Sequence, residues 1–356
     1  MSCSLRTPHI AIIGAGIAGL ACAAQLEKLG MRVSIFDKSR GASGRMSTRR
    51  GDGWQADHGA QYFTARDPVF VKELARWQSA GVADLWRTTI AVLDASSLDD
   101  SFLDDSFLDD SPVAANPPQR PHNTPSRYVG VPRMSSPARW LAAELDVTPS
   151  SRVIKLIRHE HRWRLRFDTS TPGLDTLEKT EFDAVVLAIP SVQAAELTQS
   201  HSARLSAQCE ASIMLPCWAA MLGFSAPVSL PFDAAFVNTG PLRWIARDNS
   251  KPARPDSETW VLHANTAWSE QHLEDSPDAV VKALTQAFNA FGGPTPDRAI
   301  AHRWRYSQPA SSPKPDVCAW DPTLKLGLCG DWLNGGRVEG AWLSGHRLAR
   351  AITSMD

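Results

Sequence analysis

The stretch from His9 to Lys38, HIAIIGAGIAGLACAAQLEKLGMRVSIFDK, constrains this chain more than any other. Ile10 to Ile13 is an apolar run short enough for a buried strand, and Gly14, Gly16 and Gly19 follow at GxGxxG spacing. Gly14 permits a tight turn, Gly16 lets a diphosphate approach the backbone, and Gly19 lets the next helix pack closely on the strand. That helix directs its unpaired amides and the positive end of its dipole at the diphosphate. Gly30 ends the helix and Arg32 to Phe36 makes a second strand. Asp37, followed by Lys38, stands at the carboxyl end of that strand, in the place of a ribose-binding acid. Strand, turn, helix, strand and acid in this order make an adenine dinucleotide the default ligand.

A second glycine cluster follows in SRGASGRMSTRR, where Gly41, Gly44 and Arg45 can run beside a diphosphate and Arg45 can add a charge-assisted hydrogen bond. A nicotinamide-binding unit has no need of it, whereas many flavoproteins use it. Arg40, Arg49 and Arg50 read equally as a solvated basic loop or as anion binders. At the far end of the chain, Leu326 to Cys329 reads as a buried strand ended by Gly330 and Asp331. Val338 to Ile352 reads as a helix with Gly340, Ala341 and Gly345 on its near side. A second helix amino terminus is thus aimed at the same ligand, and the two motifs together point to FAD.

The 356 residues suffice for two cores. Between the two motifs, Val69 to Trp77 reads as an amphipathic helix and Tyr128 to Met134 as an extended piece. Ser136 and Pro137 should start a helix reaching Leu145. Arg152 to Ile157 and Trp163 to Phe167 read as paired strands, and Asp183 to Ile189 as a buried strand ended by Pro190. The tryptophan-rich strands Cys217 to Phe224 and Thr259 to Ala264, with a helix from Asp278 to Phe291, imply a second, mainly antiparallel unit. The expected fold is therefore α/β: a discontinuous Rossmann-type domain over 1–75, 126–196 and 300–356, and an α+β substrate domain on an antiparallel sheet over 76–125 and 197–299. Within the latter, LDDSFLDDSFLDDSP and the proline-rich run after it (98–125) read as an acidic surface loop, or more sharply as a calcium site. The loop lacks the closing glutamate and the spacing of a calcium loop.

A net charge of −1 suggests no nucleic-acid or membrane partner. The six cysteines show no CxxC or metal spacing, so buried reduced thiols in a cytoplasmic protein are expected, and no metal.

GAGIAG, FDKSRGASGRMS, DHGAQYFTARD, LRWIARDNSKPAR, WVLHANTAWS, HRW and CGDWLNGGRVEGAWLSG together resemble the bacterial renalase-like flavoproteins, a branch of the amine-oxidase superfamily. The resemblance implies a non-covalent FAD domain of the glutathione-reductase type. It also implies oxidation of the 2- and 6-dihydronicotinamide isomers of NADH or NADPH to NAD(P), with dioxygen reduced to hydrogen peroxide. Motif by motif, Ala15, Asp37, Arg45, Ala60, Gln61, Val153, Asp331 and Val338 fall where that family holds FAD. Tyr62, Phe63, Thr64, Ala65, Arg66 and Arg337 fall where it holds substrate, as do Trp218, Trp244 and His263 in the second domain. For His263, alternation from Thr259 to Ala264 sets it opposite Trp260 and Leu262, as a substrate contact or as a satisfied core histidine.

Hydride loss from such an isomer leaves an aromatic cation, so orientation is the requirement and no general base is needed. The sequence accordingly shows no nucleophile triad or paired carboxylates. Two alternatives stay open: an amine or porphyrinogen-type oxidase, and a flavin-bound module without turnover.

Overall fold

The structure, a computed structural model, describes residues 6–94, 126–310 and 317–354. The expected acidic loop lies outside the described residues.

The chain starts with β1 (His9–Ile13), α1 (Ile17–Lys28) and β2 (Arg32–Phe36). A ribbon, β3 (Arg49–Gly51) and β4 (Trp54–Ala56), leads to α2 (Pro68–Ser79), β5 (Ala83–Leu85) and β6 (Ile90–Leu93). Next come β7 (Tyr128–Gly130), α3 (Ser136–Ala142), β8 (Val147–Thr148), the hairpin β9 (Val153–His159) and β10 (Arg162–Phe167), and α4 (Leu174–Leu177). They are followed by β11 (Ala184–Leu187), α5 (Ser191–Thr198) and α6 (Ala203–Glu210). The second unit has β12 (Met214–Gly223), β13 (Ala234–Val237), β14 (Leu242–Arg247), β15 (Thr259–Ala264), α7 (Thr266–Gln271), α8 (Pro277–Asn289) and β16 (Arg298–Pro309). The chain returns through β17 (Ala319–Asp321), β18 (Leu326–Leu328) and α9 (Val338–Thr353).

The first sheet has the order β17-β18-β11-β1-β2-β8, parallel except for β17. Its central strands are buried on both faces, which is why β1 reads as a continuous apolar run. Ile10 and Ile12 pack with α1 and α9, while Ala11 and Ile13 pack with the β9–β10 hairpin, α5 and α6. Helices α1 and α9 meet backbone to backbone, because a Cβ on Gly345 would overlap the Ala18 carbonyl.

The second sheet, β16-β12-β15-β14-β13-β6, is antiparallel apart from the β13–β6 pair. Trp218, Ala220, Leu222, Trp260 and Leu262 face α8 and its Val280, Leu284 and Phe288. Ser276 caps α8 by accepting from the Ala279 amide, and Pro277 fills its first turn.

Three boundaries differ from those read in the sequence. The substrate sheet runs to Pro309 and not to 299, because β16 pairs along β12 as its edge strand. A division at 75 would cut α2, whose Phe70 packs on Trp342 of α9 at 5.6 Å, so α2 belongs with the first unit. Helix α3 stops at Ala142, and its cap is Ser135, whose hydroxyl makes no capping bond.

Cys22, Cys209, Cys217 and Cys329 are buried thiols outside any disulfide, and burial pushes the Cys209 and Cys217 thiols up to about 12 and about 11. No described helix is long and apolar enough to cross a membrane.

Candidate active site

The turn after β1 is built by its glycines. Gly14 has φ +106°, and a Cβ there would lie 2.5 Å from the Ala188 carbonyl oxygen. Gly16 is different. Its φ is −74°, and a Cβ would meet nothing within 4 Å. The fold does not require a glycine here; the space over it belongs to a cavity of about 1780 Å³ between the two sheets. Gly44 closes the other side, its own Cβ position 3.4 Å from Gly16 Cα.

Asp37 shapes this turn directly: its carboxylate accepts from the Ala15 and Ser39 amides, each at 2.7 Å. Arg45, expected at the diphosphate, lines the cavity, is held in a bidentate pair with Asp331 (2.9 and 2.5 Å) and donates to the Ser307 carbonyl. The pair ties the two glycine motifs together. Gly14, Gly16, Asp37, Lys38, Gly44, Arg45, Ala60, Gln61, Val153, Gly330, Asp331 and Val338 all line the cavity. Ala15 is wholly buried beneath it, and Gly19 lets α1 pack on Gly14 and Ala188.

Of the residues expected at the substrate, Tyr62, Trp218, Trp244, His263 and Arg337 come together on the cavity wall. The rings of Tyr62 and Trp244 are 5.7 Å apart. Phe63 does not join them: it bridges to Tyr128 and packs against Phe70 and Trp77 in the core of the first unit. Thr64, Ala65 and Arg66 also leave the cavity. They lead into α2, and the Arg66 and Asp67 amides donate to the Glu339 carboxylate. Trp218 also lines the cavity, while its indole packs toward α8 and donates to the His272 carbonyl at 2.9 Å.

Gln61 connects the two units. Its Nε2 donates to the Asp57 and Gly59 carbonyls, and its Oε1 accepts from Trp244 Nε1 (3.3 Å) and Lys251 Nζ (3.4 Å). Lys251 is fully buried, as are Asp57, Asp248 and Arg254 around it. Burial alone would push the Asp57 carboxyl up. Lys251 and Arg254, with donors from Thr48 and Met134, hold it well below the ordinary value. Burial and the Asp57 charge push Asp248 up. This tetrad was not expected. Its sequence signal was the spacing of Asp248, Lys251 and Arg254 in LRWIARDNSKPAR, but the partner Asp57 lies about 190 residues earlier.

Histidines add a further layer. The His58 carbonyl accepts from His263 Nε2 (3.1 Å) and Trp304 Nε1 (2.9 Å), and its ring stacks on Trp304 at 5.1 Å. Burial, His302 and Arg49 lower His58 to about 4; burial and Arg243 lower His263 to about 3. Folded, both rings stay neutral at pH 5, whereas in the unfolded chain they take up protons below about 6.5. The unfolded state then binds more protons, so stability is unaffected above about pH 7 and falls as pH drops from about 6.5 toward 4. His58→Phe keeps a ring on Trp304 and carries no proton. Its unfolding midpoint should drop less between pH 7.5 and pH 5 than that of the unaltered protein, and an equal drop would dismiss His58 as a contributor.

Charge is the remaining property of the cavity. Eleven Lys and Arg residues line it against three Asp and Glu, in a chain whose net charge is −1. The basic charge is concentrated at this site.

A glycine cradle on a parallel sheet, facing an antiparallel sheet across a cationic cleft, is the architecture of a dinucleotide-binding protein. The chain belongs to the flavin containing amine oxidoreductase family, whose model matches residues 115–353, while the NAD(P)-binding Rossmann-like domain model matches 12–76. Its cofactor is FAD.

Residues are 48% identical over a 50-residue stretch to a 4,4'-diapophytoene desaturase (4,4'-diaponeurosporene-forming) of Staphylococcus haemolyticus, covering 14% of this chain and 10% of that protein. Over 64 residues they are 39% identical to an L-amino-acid oxidase of Siganus canaliculatus, covering 17% and 12%. These matches span about a tenth of the relatives' length. The fold is shared much more widely. An Exiguobacterium protein assigned as a protoporphyrinogen oxidase superposes with TM-score 0.77 at 14% identity, covering 99% of this chain and 100% of that one. Cyclohexylamine oxidase of Brevibacterium oxydans superposes with TM-score 0.74 at 13% identity, covering 98% and 99%.

Proposed function

We propose that this protein is a renalase-like oxidase of the cytoplasm that converts 2- and 6-dihydronicotinamide isomers of NAD(P)H to NAD(P). The observation that carries the reading is the excess of eleven basic over three acidic residues around the cavity. An amine substrate arrives as a cation and would be repelled there, whereas a dinucleotide brings phosphates that the lining attracts.

FAD, held non-covalently in a domain of the glutathione-reductase type, would supply hydride acceptance and electron transfer to dioxygen, with hydrogen peroxide as the product. Gly16 and Gly44 would flank its diphosphate. Asp37, with lone pairs left beyond its two amide donors, would take its ribose. Arg45 would act through Asp331, holding the start of α9 in place. Gln61, Tyr62, Trp244 and His263 would form the walls that orient the substrate ring. His263 donates from Nε2 to a carbonyl and is neutral, so it positions and does not serve as a charged acid. No proton needs to be removed from the substrate by the protein, because the hydride leaves an aromatic pyridinium. The protein's contribution is orientation.

The test is anaerobic mixing of the yellow protein with the dihydronicotinamide isomers, ordinary NADH and a panel of amines, followed by admission of air and measurement of peroxide. Bleaching by the isomers alone is expected; bleaching by an amine with the isomers inert would overturn the reading. A carboxylated porphyrinogen is the second reading. The same cationic lining favours it, and so does the superposition with the Exiguobacterium protein. It belongs in the same panel.

Arg337 is the N-cap of α9, exposed at the cavity, with no ion-pair partner among the described residues. Arg337→Ala should keep its flavin and raise KM for the isomer roughly tenfold, the loss of one charge-assisted contact. Unchanged kinetics would remove Arg337 from the site.

A further inference from the structure

Two interruptions of the second sheet fall at the cavity. In β14 the register with β15 passes from Leu242↔Ala264 to Trp244↔His263, so Arg243 is an extra residue. In β16 the register with β12 passes from Gln308↔Leu215 to Trp304↔Cys217, which leaves β16 longer than its partner across Arg305 to Ser307. Bulges of this kind re-aim side chains.

The sheet order puts β15 and β12 between β14 and β16, yet Arg243 Nη1 reaches Gln308 Oε1 on β16 at 3.0 Å. The Arg243 side chain therefore lies across the sheet, over the strands that carry His263 and Cys217. Burial first and Arg243 second push His263 down, which fits a guanidinium lying close by.

Most cations of the cavity are exposed, and three arginines are half-buried: Arg45, Arg243 and Arg303. Arg45 is neutralised by Asp331 and Arg303 by Glu274. Arg243 has only the neutral Gln308 amide, with no carboxylate in ion-pair distance among the described residues. A half-buried charge without a counterion is costly unless a ligand supplies one.

We infer that Arg243, held in place by Gln308, is the anchor for a phosphate of the dinucleotide substrate. The assignment rests on the proposed dinucleotide reading. A fork of fixed N–H donors matches phosphate oxygens in pairs, so Arg243 serves recognition and not chemistry.

The experiment titrates FAD-loaded protein with NAD⁺, inorganic pyrophosphate and phosphate-free nicotinamide riboside, following the flavin spectrum and the heat of binding. Unaltered protein should bind NAD⁺ and pyrophosphate, more weakly as salt is raised. Arg243→Gln should lose roughly ten- to hundredfold in NAD⁺ affinity and leave nicotinamide riboside unchanged. Arg243→Lys keeps the charge and should recover part of the loss, and it serves alone if the glutamine variant does not hold flavin. Equal NAD⁺ affinity in all three proteins, an equal loss for the riboside, or no binding of NAD⁺ and pyrophosphate to unaltered protein would each overturn the inference. Failure of the dihydronicotinamide isomers to bleach the flavin, with NAD⁺ binding still dependent on Arg243, would bring down the proposed reaction and leave the phosphate anchor standing. Bleaching with a KM indifferent to Arg243→Gln would do the reverse.

Discussion

Gly16→Val is expected to purify as a folded, colourless protein. The backbone at Gly16 has an ordinary φ of −74°, and a Cβ there touches no protein atom, so a side chain costs the fold little. The same side chain would stand where the cofactor diphosphate must approach α1, across from Gly44. Flavin content measured by absorbance should fall below about a tenth of the unaltered level, with circular dichroism unchanged. A yellow, fully loaded variant would reject the placement of FAD in this turn. Gly345→Val supplies the contrast. Its Cβ would press on the Ala18 carbonyl and force α1 and α9 apart, so that variant should lose the fold together with the colour.

Asp57→Ala is expected to be the most destabilising change near the site. Asp57 is wholly buried and accepts from Arg254 Nη2 at 2.6 Å and Lys251 Nζ at 3.4 Å, as well as from Thr48 and the Met134 amide. Removing it leaves two buried cations facing Asp248 alone. Breaking a buried pair of this kind costs about 3–5 kcal/mol. The loss should be read by urea unfolding of the FAD-loaded protein, and a change under about 1 kcal/mol would mean that water or a rearranged Asp248 replaces the missing carboxylate. Because Lys251 also touches Gln61, the surviving protein should show altered substrate kinetics even where flavin is retained.

Local pattern carried a large part of this architecture. The sequence places the strand at Arg32–Phe36 with the bounds found in the structure, and it finds α1, α2, α8, α9 and the β9–β10 hairpin to within a few residues. Hydrophobic period, glycine position and helix caps act over a few residues and need no partner to be read. The alternation that sets His263 opposite Trp260 and Leu262 was legible for the same reason.

Trp218 shows where that reasoning stops. Alternation divides a strand into two faces but does not say what each face meets, and here Trp218 packs with α8 as well as lining the cleft. Phe63 to Arg66 show a second limit. They follow Tyr62 directly in sequence, yet the chain turns into α2 and takes them away from the cavity. β16 shows a third, because an edge strand with mixed exposure has no apolar run to mark its sheet.

By itself the sequence determined the glycine cradle, the strand and helix framework around it and FAD as the ligand that such a framework takes, since all three depend on residues close together in the chain. Only the tertiary structure decided that Arg45 spends its charge on Asp331, that Asp57 is neutralised by Lys251 and Arg254, and that two sheet bulges let Arg243 reach Gln308. The reason is physical. Charge pairing and sheet register act through space between residues that the chain separates by up to about 290 positions, and no local pattern encodes which of many like-charged side chains will meet.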